Sequence, residues 1–131
     1  TLIVDATGVG LAVTDIIRKA ELPLSRLVPL TITGGSTVTP GKRGGFNVPK
    51  RELVSVAQSA LQSKRLVIAK GLAEAETLRK ELSTFQVKIT LSATESFEAW
   101  REGAHDDLVL AACMALWHGE RGQMNYQIVT L

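Results

Sequence analysis

Apolar and polar positions alternate along the chain in blocks whose spacing predicts strands and helices in turn. An apolar run at residues 2–4 predicts a strand that ends at Asp5, and apolar residues at helical spacing follow it up to position 20. A second strand is predicted over residues 27–33, which Pro29 either limits to a sheet edge or shortens from the front. Further segments are predicted in order: a helix over 47–63, a strand over 65–69, a helix over 71–82, a strand over 85–91 and a last helix that ends at His118. This order predicts an α/β fold.

The last helix contains the most apolar stretch of the sequence, which starts directly after Asp106 and Asp107. Residues 108–117 are apolar on every side, as expected of a helix that is surrounded by other elements. Unpaired N–H groups and the positive end of the helix dipole favour anions at its first turn. Asp106 as an N-cap and Asp107 as a first-turn acid would be a purely structural explanation. Metal binding would need another carboxylate from elsewhere in the chain.

Asp5 is the candidate for that other carboxylate. In open α/β sheets, ligands bind outside the carboxyl ends of the strands, and Asp5 closes a predicted strand. Acids at a strand end and at the start of a distant helix supply the hard oxygen ligands that divalent cations prefer. An aspartate at a strand end is also common for structural reasons, so neither half of this pattern is specific alone.

Length and composition predict one domain, because 131 residues with 45% hydrophobic content can bury a core without disulfides or structural metal. The single cysteine, Cys113, lies in the apolar helix and is expected to be a core residue in a reducing compartment. No stretch resembles a signal peptide or a membrane span, which predicts a cytoplasmic protein without a membrane partner. Because the first residues already resemble a strand, we expect the sequence to be a fragment of a longer polypeptide.

Charge is distributed unevenly, although the net charge is only +2. Basic residues concentrate between positions 41 and 70 and acidic ones between 95 and 107. Cations hold phosphates and carboxylates hold metals, so this pattern predicts a metal-dependent enzyme that acts on a polyanion. The candidate DNA-binding residues are Lys42 and Arg43 in a glycine-rich loop and Lys50 and Arg51 at a helix start. A solvated face or a disordered surface loop explains the same charges.

The glycine-rich loop is not a nucleotide-binding P-loop. Five residues, not four, separate Gly35 from Gly41, and Arg43 stands where Ser or Thr should follow the lysine. The sequence therefore does not predict an ATP site in this loop.

Four segments together resemble the carboxy-terminal nuclease domain of bacteriophage terminase large subunits: residues 4–10, 48–54, 72–82 and 100–111. The most specific piece is Gly-Ala-His-Asp-Asp-Leu-Val-Leu-Ala with the preceding Trp-Arg-Glu, and the resemblance extends to about His118. It implies a ribonuclease H-like mixed sheet flanked by helices. Residues 1–118 would form a partial nuclease domain that lacks the first strands of the fold, and residues 119–131 a carboxy-terminal tail that can add a strand.

That family cuts concatemeric double-stranded viral DNA in the bacterial host cell when a genome is packaged. The resemblance implies an endodeoxyribonuclease with two Mg²⁺ or Mn²⁺ ions, about 4 Å apart. It also implies double-stranded DNA, the terminase ATPase domain, the small subunit and the portal as partners. By motif, Asp5, Asp107 and Asp106 match the catalytic and metal-binding acids, with Asp107 preferred over Asp106.

One departure from the family concerns the number of acids. A further family acid lies on the first strand of a meander that precedes the part matched by this sequence. With too few carboxylates, two cations repel each other without compensation, so we expect weak metal binding and poor or absent cleavage by this chain alone. The alternative is a catalytically silent ribonuclease H-like module that binds DNA or docks. A third interpretation, a nucleotide-binding domain, rests on Gly8 and Gly10 alone.

Overall fold

The computed structural model describes residues 1–20, 26–69, 71–84 and 107–124, and the chain divides into two compact units, Thr1–Lys50 and Arg51–Leu131. The first unit contains β1 (Leu2–Asp5), α1 (Gly10–Lys19), β2 (Leu27–Thr33), β3 (Thr39–Pro40), a 3-10 turn (Lys42–Gly44) and β4 (Phe46–Pro49). The unit boundary falls at the first residue of α2 (Lys50–Gln62), which α3 (Ala75–Thr84) and α4 (Asp107–Met124) follow.

Four strands form a mixed sheet in the order β1-β2-β4-β3. β1 pairs with β2 and β2 with β4 in parallel, whereas β3 pairs with β4 antiparallel. The parallel strands therefore end at one edge of the sheet. The predicted α/β class is confirmed at this level: a mixed sheet with helices after its strands.

β2 is a central strand and carries the core of the first unit. Val28, Leu30 and Ile32 are almost fully buried. The prediction that Pro29 limits β2 to an edge or shortens it is wrong, because β2 spans Leu27–Thr33 with a neighbour on each side. The pairing of β2 with β4 begins only at Leu30, and the Pro29 carbonyl faces Gly45, which precedes β4. Pro29 has no N–H, but no hydrogen bond between β2 and β4 is lost, because the two strands are not yet paired at this position.

Two predicted strand assignments near α2 need correction. β4 was not predicted, since three of its four residues, 47–49, were assigned to the start of the following helix. Residues 65–69 are not a strand. The N–H groups of Arg65 and Leu66 instead donate to the Ala60 carbonyl, and Lys64 has a φ of +57°, so this segment closes the end of α2.

The helices also differ from prediction in their bounds and buried faces. α3 begins at Ala75 rather than at residue 71, and Leu72, predicted to point inward, is 54% exposed. α4 continues past His118, where it was predicted to end, to Met124. In α4 one side is buried (Val109, Cys113, Met114 and Trp117) while Ala111 and Ala115 are exposed, in contrast to the expected burial on all sides.

The predicted strand over 85–91 and the proposed tail strand beyond residue 124 lie outside the described residues. Within the described ranges, no helix has both the length and the apolar character needed to cross a membrane.

Candidate metal and nucleic-acid site

Asp5 is the last residue of β1 and lies at the edge where the parallel strands end. Its carboxylate Oδ1 accepts a hydrogen bond from the Thr7 N–H at 2.8 Å. The next residue, Ala6, continues the pairing by donating its N–H to the Leu30 carbonyl at 2.8 Å. The half-buried Asp5 side chain is thus held by the turn that follows it.

Thr7 ties this turn to the central strand as well. Its hydroxyl Oγ1 accepts a hydrogen bond from the N–H of Ile32 in β2 at 2.9 Å. Gly8 then adopts a φ of +59°, and α1 starts so close to β1 that a Cβ on Gly10 would lie 2.2 Å from the Asp5 carbonyl oxygen. The Asp-Ala-Thr-Gly-Val-Gly segment is therefore a tight, backbone-limited turn around Asp5.

Asp107 is the first residue of α4 and is exposed. The backbone N–H groups of the next two residues, Leu108 and Val109, both donate to Oε2 of Glu81 at 3.0 Å. Glu81 lies in α3 and is only 8% exposed. A carboxylate from another helix therefore caps α4, and neither of these N–H groups depends on Asp107 for its acceptor.

Glu81 was missed by sequence reasoning. Residues 72, 75, 78 and 82 were taken as the inward face of this helix, with its charges on the surface. The signal that would have found it is its spacing, because Glu81 lies three residues after Leu78, and residues three apart are neighbours on a helix surface. Asp106, the other predicted acid, lies outside the described residues. The choice between Asp106 and Asp107 stays a prediction, with Asp5 in the first unit and Asp107 in the second.

The four predicted DNA-binding residues lie in different local settings. Lys42 is exposed in the 3-10 turn. Arg43 has a φ of +57° and its guanidinium pairs with Asp15 of α1 at 2.7 Å, which compensates its charge. Lys50 and Arg51 form the start of α2, directly after β4. Lys50 therefore follows a strand that ends at the same sheet edge as Asp5.

Mg²⁺ commonly binds through one or two carboxylates, several waters and substrate phosphates. Asp5 in the first unit and Asp107 in the second each fit as one ligand of such a hydrated ion. Within residues 1–20, 26–69, 71–84 and 107–124, no three His, Cys, Asp or Glu side chains are grouped so that they could hold a metal.

Comparisons with known proteins give no identification: no family model matches the chain, and neither a curated protein nor a solved structure matches it significantly.

Proposed function

We propose that this chain is part of a metal-dependent endonuclease domain of the ribonuclease H-like type found in terminase large subunits, acting on double-stranded DNA. The observation that carries the proposal is the position of the two acids. Asp5 is the last residue of a strand at the carboxyl edge of the sheet, and Asp107 is the first residue of an apolar helix. Both positions agree with what the resemblance implies for the metal-binding acids.

The sheet edge around Asp5 supports a nucleic-acid substrate. Ligands of α/β sheets bind outside the carboxyl ends of parallel strands. At that edge Asp5 follows β1, and Lys50 follows β4 at the first turn of α2. A lysine is unfavourable for the helix dipole at this position, whereas a phosphate beside the helix start is favourable. Lys50, with the exposed Lys42, is therefore a suitable contact for a DNA backbone.

Asp5 and Asp107, with Asp106 as the neighbouring acid, are the residues that would hold Mg²⁺ or Mn²⁺. When bound, such an ion supplies an activated water and stabilises the negative charge of the reacting phosphate. The chain's own contribution is to orient the acids: the Thr7 N–H holds Asp5, and the capped first turn of α4 presents Asp107. Because two carboxylates compensate little positive charge, we expect weak metal binding and little cleavage without further residues. The ATPase domain, small subunit and portal are proposed partners of the complete protein.

Mn²⁺-induced broadening of backbone amide signals tests the proposal, because it detects weak binding and needs no cleavage. We expect millimolar or lower Mn²⁺ to broaden the amides of Thr7 and Leu108 before most others. Asp5→Asn should remove the effect at Thr7 and Asp107→Asn the effect at Leu108. Asp15→Asn is the matched control, since this carboxylate lies in the first unit but pairs with Arg43, and it should leave the broadening at Thr7 unchanged. Uniform broadening, or broadening that survives Asp5→Asn, would refute the metal site.

DNA binding gives a second, independent measurement. Fluorescence anisotropy with a labelled duplex should show affinity that falls with salt, and Lys50→Ala should weaken binding and reduce the salt slope by about one. Arg43→Ala should change it less, because the charge of Arg43 is already compensated by Asp15. Salt-dependent DNA binding without localised Mn²⁺ broadening would favour the catalytically silent binding module over the nuclease.

A further inference from the structure

Glu81 is a buried carboxylate whose partners lie at the start of another helix. Its Oε2 accepts the N–H groups of Leu108 and Val109, 27 and 28 residues later in the chain, at 3.0 Å each. A buried carboxylate is unfavourable unless hydrogen bonds and positive potential compensate it. The helix N-terminus supplies both, through its free N–H groups and its dipole.

We propose that Glu81 is a positioning residue for Asp107, and the metal part of this inference rests on the proposed function. The two hydrogen bonds fix the backbone immediately after Asp107, and they therefore fix where the Asp107 Cα and side chain start. Without Glu81, two N–H groups at the first turn lose their acceptor, one of them on the fully buried Val109. The turn then frays, and Asp107 must be ordered before it can bind an ion.

Loss of such an orienting partner commonly lowers metal affinity by about 10- to 100-fold. In Glu81→Ala, the Mn²⁺ concentration that half-broadens the Leu108 amide should therefore rise at least about tenfold. Glu81→Gln keeps an oxygen that can accept both N–H groups, so it should retain most of the affinity. Faster hydrogen exchange at Leu108 and Val109 should accompany the loss in Glu81→Ala.

The matched control is Arg65→Ala. Arg65 pairs with Glu120 near the other end of α4, 13 residues beyond Asp107, which is about 20 Å along the helix. Arg65→Ala removes an ion pair of α4 within the second unit, and it leaves the first turn of α4 intact. It should leave the Mn²⁺ titration of Leu108 unchanged even if it lowers stability.

Asp107→Asn completes the experiment, because it removes the proposed ligand and leaves the Glu81 cap in place. Hydrogen exchange at Leu108 and Val109 should therefore stay slow in Asp107→Asn, so that only Glu81→Ala both exposes these N–H groups and weakens Mn²⁺ binding. An unchanged titration in Glu81→Ala, or an equal shift in Arg65→Ala, would overturn the inference while wild-type binding persists. Absence of localised broadening at Leu108 in the wild type would instead refute the proposed function, and the metal role of Glu81 with it.

Discussion

Gly10→Ala tests the close approach of α1 to β1 that encloses Asp5. A Cβ at position 10 would lie 2.2 Å from the Asp5 carbonyl oxygen and 3.0 Å from its carbon, whereas real Cβ atoms essentially never come within 3.0 Å of another heavy atom. The start of α1 or the end of β1 must therefore move by at least about 0.8 Å, the difference between the two separations. Because the obstructing atoms belong to the backbone, no side-chain rotation can relieve the contact.

The expected cost follows from two opposing effects. Overpacking a tight site costs about 1–3 kcal/mol or more, and a backbone obstruction belongs at the upper end of that range. Alanine returns up to about 1 kcal/mol through its helix propensity. We therefore expect Gly10→Ala to lower the free energy of unfolding by about 2–3 kcal/mol, measured by urea denaturation followed by far-ultraviolet circular dichroism.

Gly34→Ala is the control for this measurement. Gly34 lies in the same unit, its added Cβ would meet nothing within 4 Å, and its φ is not positive. It should therefore be neutral or gain up to about 1 kcal/mol by restricting the unfolded chain. If Gly10→Ala were as stable as Gly34→Ala, α1 would not start against the Asp5 carbonyl, and the tight turn around Asp5 would be wrong.

Three further predictions concern individual contacts. Thr7→Val should lower stability by about 1–3 kcal/mol, because it leaves the Ile32 N–H without its acceptor, and Thr7→Ser should restore it. Burial raises the pKa of the Cys113 thiol from 9.0 to about 11, so the stability that the neutral thiol contributes is present below pH 9 and lost as the pH rises to 11. In Cys113→Ala, the free energy of unfolding from denaturation curves should fall less over this pH range. The exposed Arg43–Asp15 pair should show a coupling of no more than about 1 kcal/mol in a double-mutant cycle, which about 1 M salt should abolish.

Elements with strong local patterns were predictable from the sequence. β1, β2 and the starts of α1 and α4 each coincide with an apolar run or a helical repeat, and the structure confirms them, whereas α2 starts at Lys50 rather than at residue 47. β4 was not predictable in the same way. All four of its residues pair with β2, 16 residues earlier in the chain, and two of them also pair with β3. Its last residue, Pro49, also fits a helix start. Where pairing decides the conformation, local propensity carries little information.

The spacing of apolar residues in α1 does not show which of its side chains are buried. Ile16 is one of the apolar residues at helical spacing in α1, yet it is 69% exposed, while the buried residue of that helix is Thr14. Thr14 can be buried because its hydroxyl donates to the Leu11 carbonyl at 2.7 Å, one turn earlier. The spacing of apolar residues identifies the buried face of a helix only if polar side chains cannot form hydrogen bonds within that helix. A threonine hydroxyl can do so, and threonine can therefore be buried.

The positions of the two candidate acids were predictable because each borders a strong apolar run, but their local environments were not. The orientation of the Asp5 side chain depends on Thr7. The Thr7 N–H donates a hydrogen bond to the Asp5 carboxylate, and the Thr7 hydroxyl accepts one from Ile32 in β2. For Asp107, the sequence alone favoured a purely structural role as a first-turn acid, with Asp106 as the N-cap. The acceptor of the Leu108 and Val109 N–H groups, Glu81, comes from another helix, a contact that no local pattern predicts.

At the start of α4, the residue that caps the helix and the exposed acid are different residues. An aspartate that caps its own helix directs its oxygens to the backbone N–H groups of the first turn, so those oxygens are not available to another ligand. At α4 that role falls to a buried carboxylate from α3, and the exposed Asp107 keeps the favourable helix dipole without having to serve Leu108 or Val109. A carboxylate that is held at a fixed point and faces solvent meets the geometric requirement for a cation ligand. Glu81 thus fixes the backbone that carries Asp107, whereas the nuclease proposal itself depends on the acids that the sequence first singled out.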